Sequence, residues 1–134
     1  MNLSGLIVLV FLFEEVINLF LFYSAFVLLS AVVGLSVFIF SSLSWYAGLS
    51  AVLYGLFIIA ASVALIKKDW LLSLPVLLVI PIKLIFDSYD PSLTASSAEF
   101  IGAPVATEVH GYGVLAGFFV GIMLLIFKPK RLIK

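Results

Sequence analysis

The sequence predicts an all-α fold, a polytopic bundle of membrane helices, and three observations carry that prediction. Hydrophobic residues make up 65% of the 134-residue chain, and charged residues only 10%. The mean hydropathy is +1.37. A soluble domain of this length keeps much of its surface in water, so it has no place for so much apolar area. The apolar residues also fall into runs close to the length, about 18 residues or more, that crosses a bilayer as a helix. The same numbers narrow the function. The formal net charge is zero, which gives no bulk attraction to nucleic acid. With no cysteine and a single histidine, disulfides, thiolate metal sites and multi-histidine sites are excluded, and no metal or cofactor is expected.

Charges and turn residues divide the chain into five expected spans within one domain, 1–134. The first runs from Asn2 to about Phe13 and is stopped by Glu14 and Glu15, which form a turn. The second runs from about Ile17 to Phe40 and ends in the polar "SSLSWY". The third, from about Gly48 to Ile66, is closed by Lys67, Lys68 and Asp69. The fourth covers about Trp70 to Phe86 and holds Pro75 and Pro81, which a membrane helix tolerates. A loop from Asp87 to Ala106 follows, in which Asp87, Asp90 and Glu99 are expected to be solvated. The last span runs from about Thr107 to Phe127, and residues 128–134, "KPKRLIK", form a basic tail.

Positive residues set the expected orientation. Lys67, Lys68 and the basic tail fall on one side, which should be cytoplasmic. The turn around Trp45 and Tyr46 and the long loop then face outward. Lys83, near the outer end of span four, is expected to snorkel to the interface. The first span starts outside by this count. At about 18 Å it is short against a hydrocarbon core of about 30 Å. It is expected to be a truncated helix with at least one element missing upstream.

Two polar residues then stand at matching depth. Ser50 lies about 7 Å below the outer interface if its helix starts near Trp45, and His110 lies near the outer end of the last span. Either residue has a bland reading: a small residue easing helix packing, or an imidazole at the interface. The spacing adds to this. Ser50 and Tyr54 are i and i+4 on one face, with Gly48, Ala51 and Gly55 on a smooth face beside them. His110, Gly113, Gly117 and Gly121 fall at i, i+3, i+7 and i+11, a histidine above a second small-residue stripe. Two such stripes can pack closely enough for an imidazole to reach a hydroxyl. Histidine is the usual base that turns a serine into a nucleophile, and the helix N-terminus at Ser50 offers N–H groups to a developing oxyanion. Glu108, at i−2 from His110, does not share its face.

At these residues the chain resembles a known family. "GLSAVLYG" is similar to the rhomboid intramembrane protease motif G-x-S-G-x-x-x-G, with Ala51 in place of a glycine. "HGYGVLAG" matches the partner motif H-x-x-G-x-x-x-G. The wider "SWYAGLSAVLYGL" and "GAPVATEVHGYGVLAG" resemble the rhombosortase branch, bacterial rhomboids associated with proteins that bear a C-terminal Gly-Gly sorting tail. The resemblance covers essentially the whole chain as the last five of six core helices. It implies that Ser50 is the nucleophile and His110 the general base of a dyad without an acidic member. It further implies that Tyr54 stacks on the imidazole, that Gly48 belongs to the oxyanion region, and that Ala51, Gly55, Gly113 and Gly117 pack the helices. The family's H-x-x-x-N motif would leave Asn2 as the oxyanion asparagine, with its histidine absent. The implied location is a bacterial inner membrane with the C-terminus cytoplasmic and the site on the outer side. The implied partners are membrane-anchored protein substrates and the bilayer. Two rivals remain: an inactive rhomboid-like protein that binds client helices, and a small transporter or channel subunit with a proton path through His110 and Glu108.

Overall fold

The segment after Ser50 is apolar on every side and rich in alanine, and a helix of that kind belongs in an interior. In the computed structural model, which describes residues 2–41, 49–90, 92, 99 and 107–127, it occupies that position. The described residues form five helices: α1 (Asn2–Phe13), α2 (Leu19–Phe40), α3 (Ser50–Ile66), α4 (Trp70–Tyr89) and α5 (Thr107–Phe127). Twelve of the 17 residues of α3 are buried, and α3 packs against all four other helices. The surrounding helices bury only a stripe each and turn apolar side chains outward, among them Phe20, Phe38, Leu71 and Phe127.

Only α2, α4 and α5 are long and apolar enough to cross a membrane. The expectation of five spans is therefore met in part, because α1 has 12 residues and α3 has 17. The helix starts and stops follow from local chemistry. Asn18 caps α2 by accepting a hydrogen bond from the Leu21 N–H at 2.8 Å. The end of α3 is a Schellman motif. Lys68 takes a left-handed conformation with φ of 64°, the Asp69 N–H reaches the Ala64 carbonyl and the Lys68 N–H reaches that of Leu65. Asp69 then caps α4 through the Leu72 N–H at 3.1 Å.

The ends of the bundle are fixed by two polar contacts. At one end Lys67 donates to the Glu15 carbonyl at 3.0 Å, which ties the α3–α4 turn to the exposed α1–α2 turn. At the other end Ser41 donates to Glu108 at 2.8 Å, which joins the end of α2 to the start of α5.

At Ala51 and Gly55 the α3–α5 contact is made by backbone. A Cβ added at Gly113 would fall on the backbone of Ala51. One added at Gly117 would stand 2.7 Å from the Gly55 carbonyl oxygen and 2.8 Å from its Cα. One added at Gly55 would stand 2.8 Å from the Gly113 carbonyl oxygen, and one at Gly121 would meet the Ser62 hydroxyl. Small residues at helical spacing let two backbones touch, as packing between apolar helices favours.

The fourth helix corrects the sequence reading. It does not stop at Phe86 but continues to Tyr89, so Asp87 belongs to the helix and not to a loop. Asp87 is buried, with a side chain only 6% exposed, and pairs with Lys83 one turn earlier. Lys83 therefore has a partner rather than simply snorkelling. Asp90 and Glu99 are exposed, as expected. Hydrogen bonds from Ser92 hold the Asp90 carboxyl below the usual carboxylate range.

Candidate functional site

Ser50 is the first residue of α3. The residue before it, Leu49, provides no side-chain cap. The first intrahelical bond of α3 runs from the Leu53 N–H to the Leu49 carbonyl at 2.9 Å. The N–H groups of Ser50, Ala51 and Val52 thus have no acceptor within the helix. They point toward the end of the bundle where the Ser50 side chain sits, half-buried.

His110 enters this space from the first turn of α5. Its Nε2 lies 2.8 Å from the Ser50 Oγ, across 60 residues of sequence. The residue itself is only 7% exposed. When Nδ1 carries the proton, Nε2 is free to accept from the Ser50 hydroxyl, the arrangement a general base requires. Nδ1 is buried and has no hydrogen-bond partner among the described residues. Tyr54, one turn below Ser50, places its ring against the imidazole with centroids 4.9 Å apart and planes tilted by 49°.

The geometry accounts for this meeting. The backbone contact of Gly113 with Ala51 sits one turn from His110 and one residue from Ser50. Any bulkier pair there would separate the helices by more than a hydrogen bond tolerates. Ala51, Gly55, Gly113 and Gly117 thus all lie in the seam that sets the Ser50–His110 distance.

The other expected site residues divide. Asn2 is the half-buried first residue of α1, and its neighbour Gly5 approaches Leu53 in the first turn of α3. The start of α1 is therefore at the Ser50 end of the bundle. Gly48, Trp45 and Tyr46 lie outside the described residues, as do most of the 87–106 loop and the tail 128–134. Glu108 is turned to Ser41 and not to His110. A groove of about 390 Å³ runs between α2 and α5, lined by Leu28, Val32, Tyr112 and Phe119 among others, and touches neither Ser50 nor His110.

One polar pair escaped the sequence reading. Lys83 pairs with the buried Asp87 carboxylate on α4. The signal was present as a Lys-x-x-x-Asp spacing, which brings two side chains together on one helix face. Among the described residues no cluster of three or more metal-ligating side chains occurs. Comparisons with family models, with curated proteins and with solved structures gave no match.

Proposed function

We propose that this chain is an intramembrane serine endopeptidase of the rhomboid type, with Ser50 as nucleophile and His110 as general base. The observation that carries the reading is the 2.8 Å contact between the Ser50 hydroxyl and His110 Nε2 at the end of a helical bundle. In this reading all five helices span an inner membrane, the Lys67 end faces the cytoplasm and the dyad opens to the outer side. The substrates are membrane-anchored proteins, and the resemblance to rhombosortases points to those with a C-terminal Gly-Gly tail.

The chemistry needs no metal or cofactor. Ser50 Oγ attacks the scissile carbonyl carbon while His110 Nε2 takes the hydroxyl proton. The carbonyl oxygen becomes an oxyanion beside the first N–H groups of α3, with Asn2 as a further donor. As the tetrahedral intermediate collapses, the C–N bond breaks and His110 returns the proton to the leaving amine. Water then attacks the acyl-enzyme, gives its proton to His110, and releases the acid as Ser50 recovers its hydrogen. The contact between Tyr54 and the imidazole holds the base in line through both halves.

The test is cleavage of a Gly-Gly-tailed membrane reporter by the parent, Ser50→Ala and His110→Ala, paired with fluorophosphonate labelling. Cleavage and labelling by the parent and loss of both in each variant is the expected result. Undiminished cleavage by either variant overturns the dyad. A folded parent that binds the reporter but neither labels nor cuts it would instead identify a client-binding protein.

A further inference from the structure

The groove between α2 and α5 lies away from the dyad, on two helices long and apolar enough to cross a membrane. Leu28 and Ser36 mark its two ends on α2, and Val120 and Tyr112 mark them on α5. Each stretch is about 12 Å long at about 1.5 Å per residue. A volume of about 390 Å³ spread over that length makes a channel roughly 6 Å across. A helix with its side chains is about 10–12 Å wide, so the channel is too narrow to seat a whole one. A single hydrocarbon chain, whose carbons rest about 4 Å from their neighbours, fits. Leu29 in the lining is fully buried, whereas Leu28, Leu115 and Phe119 are exposed. The channel therefore has a closed floor and opens away from the bundle axis.

Two hydroxyl residues, Ser36 and Tyr112, stand together at one end of this channel. Ser36 precedes Ser41 by five residues and Tyr112 follows Glu108 by four. Both therefore sit about 6–8 Å below the Ser41–Glu108 contact that joins the two helices. Away from water, a hydroxyl without a partner costs free energy. Ser62 and Ser88 meet that need on the carbonyl four residues earlier, each at 2.8 Å. Ser36 and Tyr112 have no hydrogen-bond partner among the described residues. The bland account is a small packing residue and a tyrosine near the interface. It does not explain why two unpaired donors meet at one depth and at one end of an apolar channel. An acyl chain joined to an ester accounts for both features, since the chain fills the channel and the ester carbonyl supplies the missing acceptor.

We propose that the α2–α5 groove binds one acyl chain of a diacyl glycerophospholipid. The chain lies along the channel with its methyl end toward Leu28 and Val120. Its ester carbonyl accepts hydrogen bonds from the Ser36 and Tyr112 hydroxyls. Filling the channel supplies the dispersion contacts that an empty apolar wall lacks. Binding of this kind needs α2 and α5 to cross a membrane and does not depend on the protease reading.

The test uses the full chain in vesicles of a diether phosphatidylcholine, which has no ester carbonyl. A trace of phosphatidylcholine carries a diazirine midway along one chain, in a diester and in a diether form, and photolabelled peptides are mapped by mass. Labelling of the channel wall at residues 115–120 is read relative to the exposed face of α4 at Leu78, Ile82 and Ile85. The expected ratio is about tenfold higher for the diester probe than for the diether probe. Ser36→Ala/Tyr112→Phe should bring the diester ratio down to the diether value. Ala116→Phe, which puts a ring in the channel, should remove channel labelling by both probes. Equal ratios for the two probes in the parent overturn the proposal, as does an unchanged ratio in a folded Ser36→Ala/Tyr112→Phe variant. Channel labelling that persists in a folded Ala116→Phe variant also overturns it. A diazirine fatty acid that labels the channel more strongly than the diester would assign the groove to a free acid and refute the phospholipid. Channel peptides untouched by either probe, with Leu115→Cys disulfide-linked from copy to copy, would give the groove to a second copy of the chain and refute it as well.

Discussion

Replacing Gly113 by alanine should uncouple the dyad without altering any group that takes part in the chemistry. Carbon atoms rest about 3.5–4.0 Å apart. A Cβ at position 113 would stand 2.6 Å from the carbonyl carbon of Ala51 and closer still to its oxygen. Both atoms belong to the backbone of a buried helix, so no rotamer change relieves the clash. Helix α5 must retreat from α3 by roughly 1 Å to restore contact. The Ser50–His110 contact, 2.8 Å in the parent, would lengthen to roughly 3.8 Å, beyond the length of a real side-chain hydrogen bond. A displacement of about 1 Å costs on the order of 100-fold in rate, or about 2.7 kcal/mol. Overpacking adds a stability cost of about 1–3 kcal/mol. The second-order rate of fluorophosphonate labelling in micelles, measured well below the unfolding temperature, separates the two effects. Gly111→Ala is the control, since its Cβ would meet nothing closer than Leu84 at 4.0 Å. A folded Gly113→Ala variant that labels within roughly threefold of the parent would refute the claim that this seam sets the dyad distance.

Two further outcomes test other parts of the structure. Glu108→Gln should leave labelling within about twofold of the parent and unfolding within about 1 kcal/mol, because the carboxylate serves Ser41 at an exposed surface; a tenfold loss would place Glu108 in the chemistry. Lys68→Gly should raise stability by about 0.5–1 kcal/mol in thermal unfolding, since it relieves a left-handed φ of 64° at a modest entropic cost in the unfolded chain. A lower unfolding temperature would contradict the Schellman geometry at the α3–α4 turn.

The parts of the site that were legible in the sequence are those governed by helical periodicity alone. His110, Gly113, Gly117 and Gly121 had to share a face, and Ser50 and Tyr54 another, whatever surrounded them. The meeting of those two faces followed from small residues on both. Asp87 was misplaced because a carboxylate at the end of an apolar run resembles the start of a loop. Its burial becomes affordable only through Lys83 four residues earlier, and that extends α4 by a turn. The partner of Glu108 could not be read from α5 at all. It depends on where the end of α2 comes to rest, which is a property of the whole bundle. Helix lengths set another limit, since charge clusters mark only the C-terminal ends of α1 and α3, and both are shorter than a typical span.

The glycine seam also bears on how this chain can vary. At Gly113 and Gly117 the nearest obstacles are main-chain atoms of Ala51 and Gly55, which every amino acid carries. No change of side chain on α3 can therefore make room, and a lesion at Gly113 has no suppressor at Ala51. At Gly121 the obstacle is the Ser62 side chain, led by its hydroxyl, so a smaller residue at 62 can accommodate a larger one at 121. Near the dyad the pairing is fixed by backbone and locked to glycine, while two turns deeper it becomes a negotiable match between side chains.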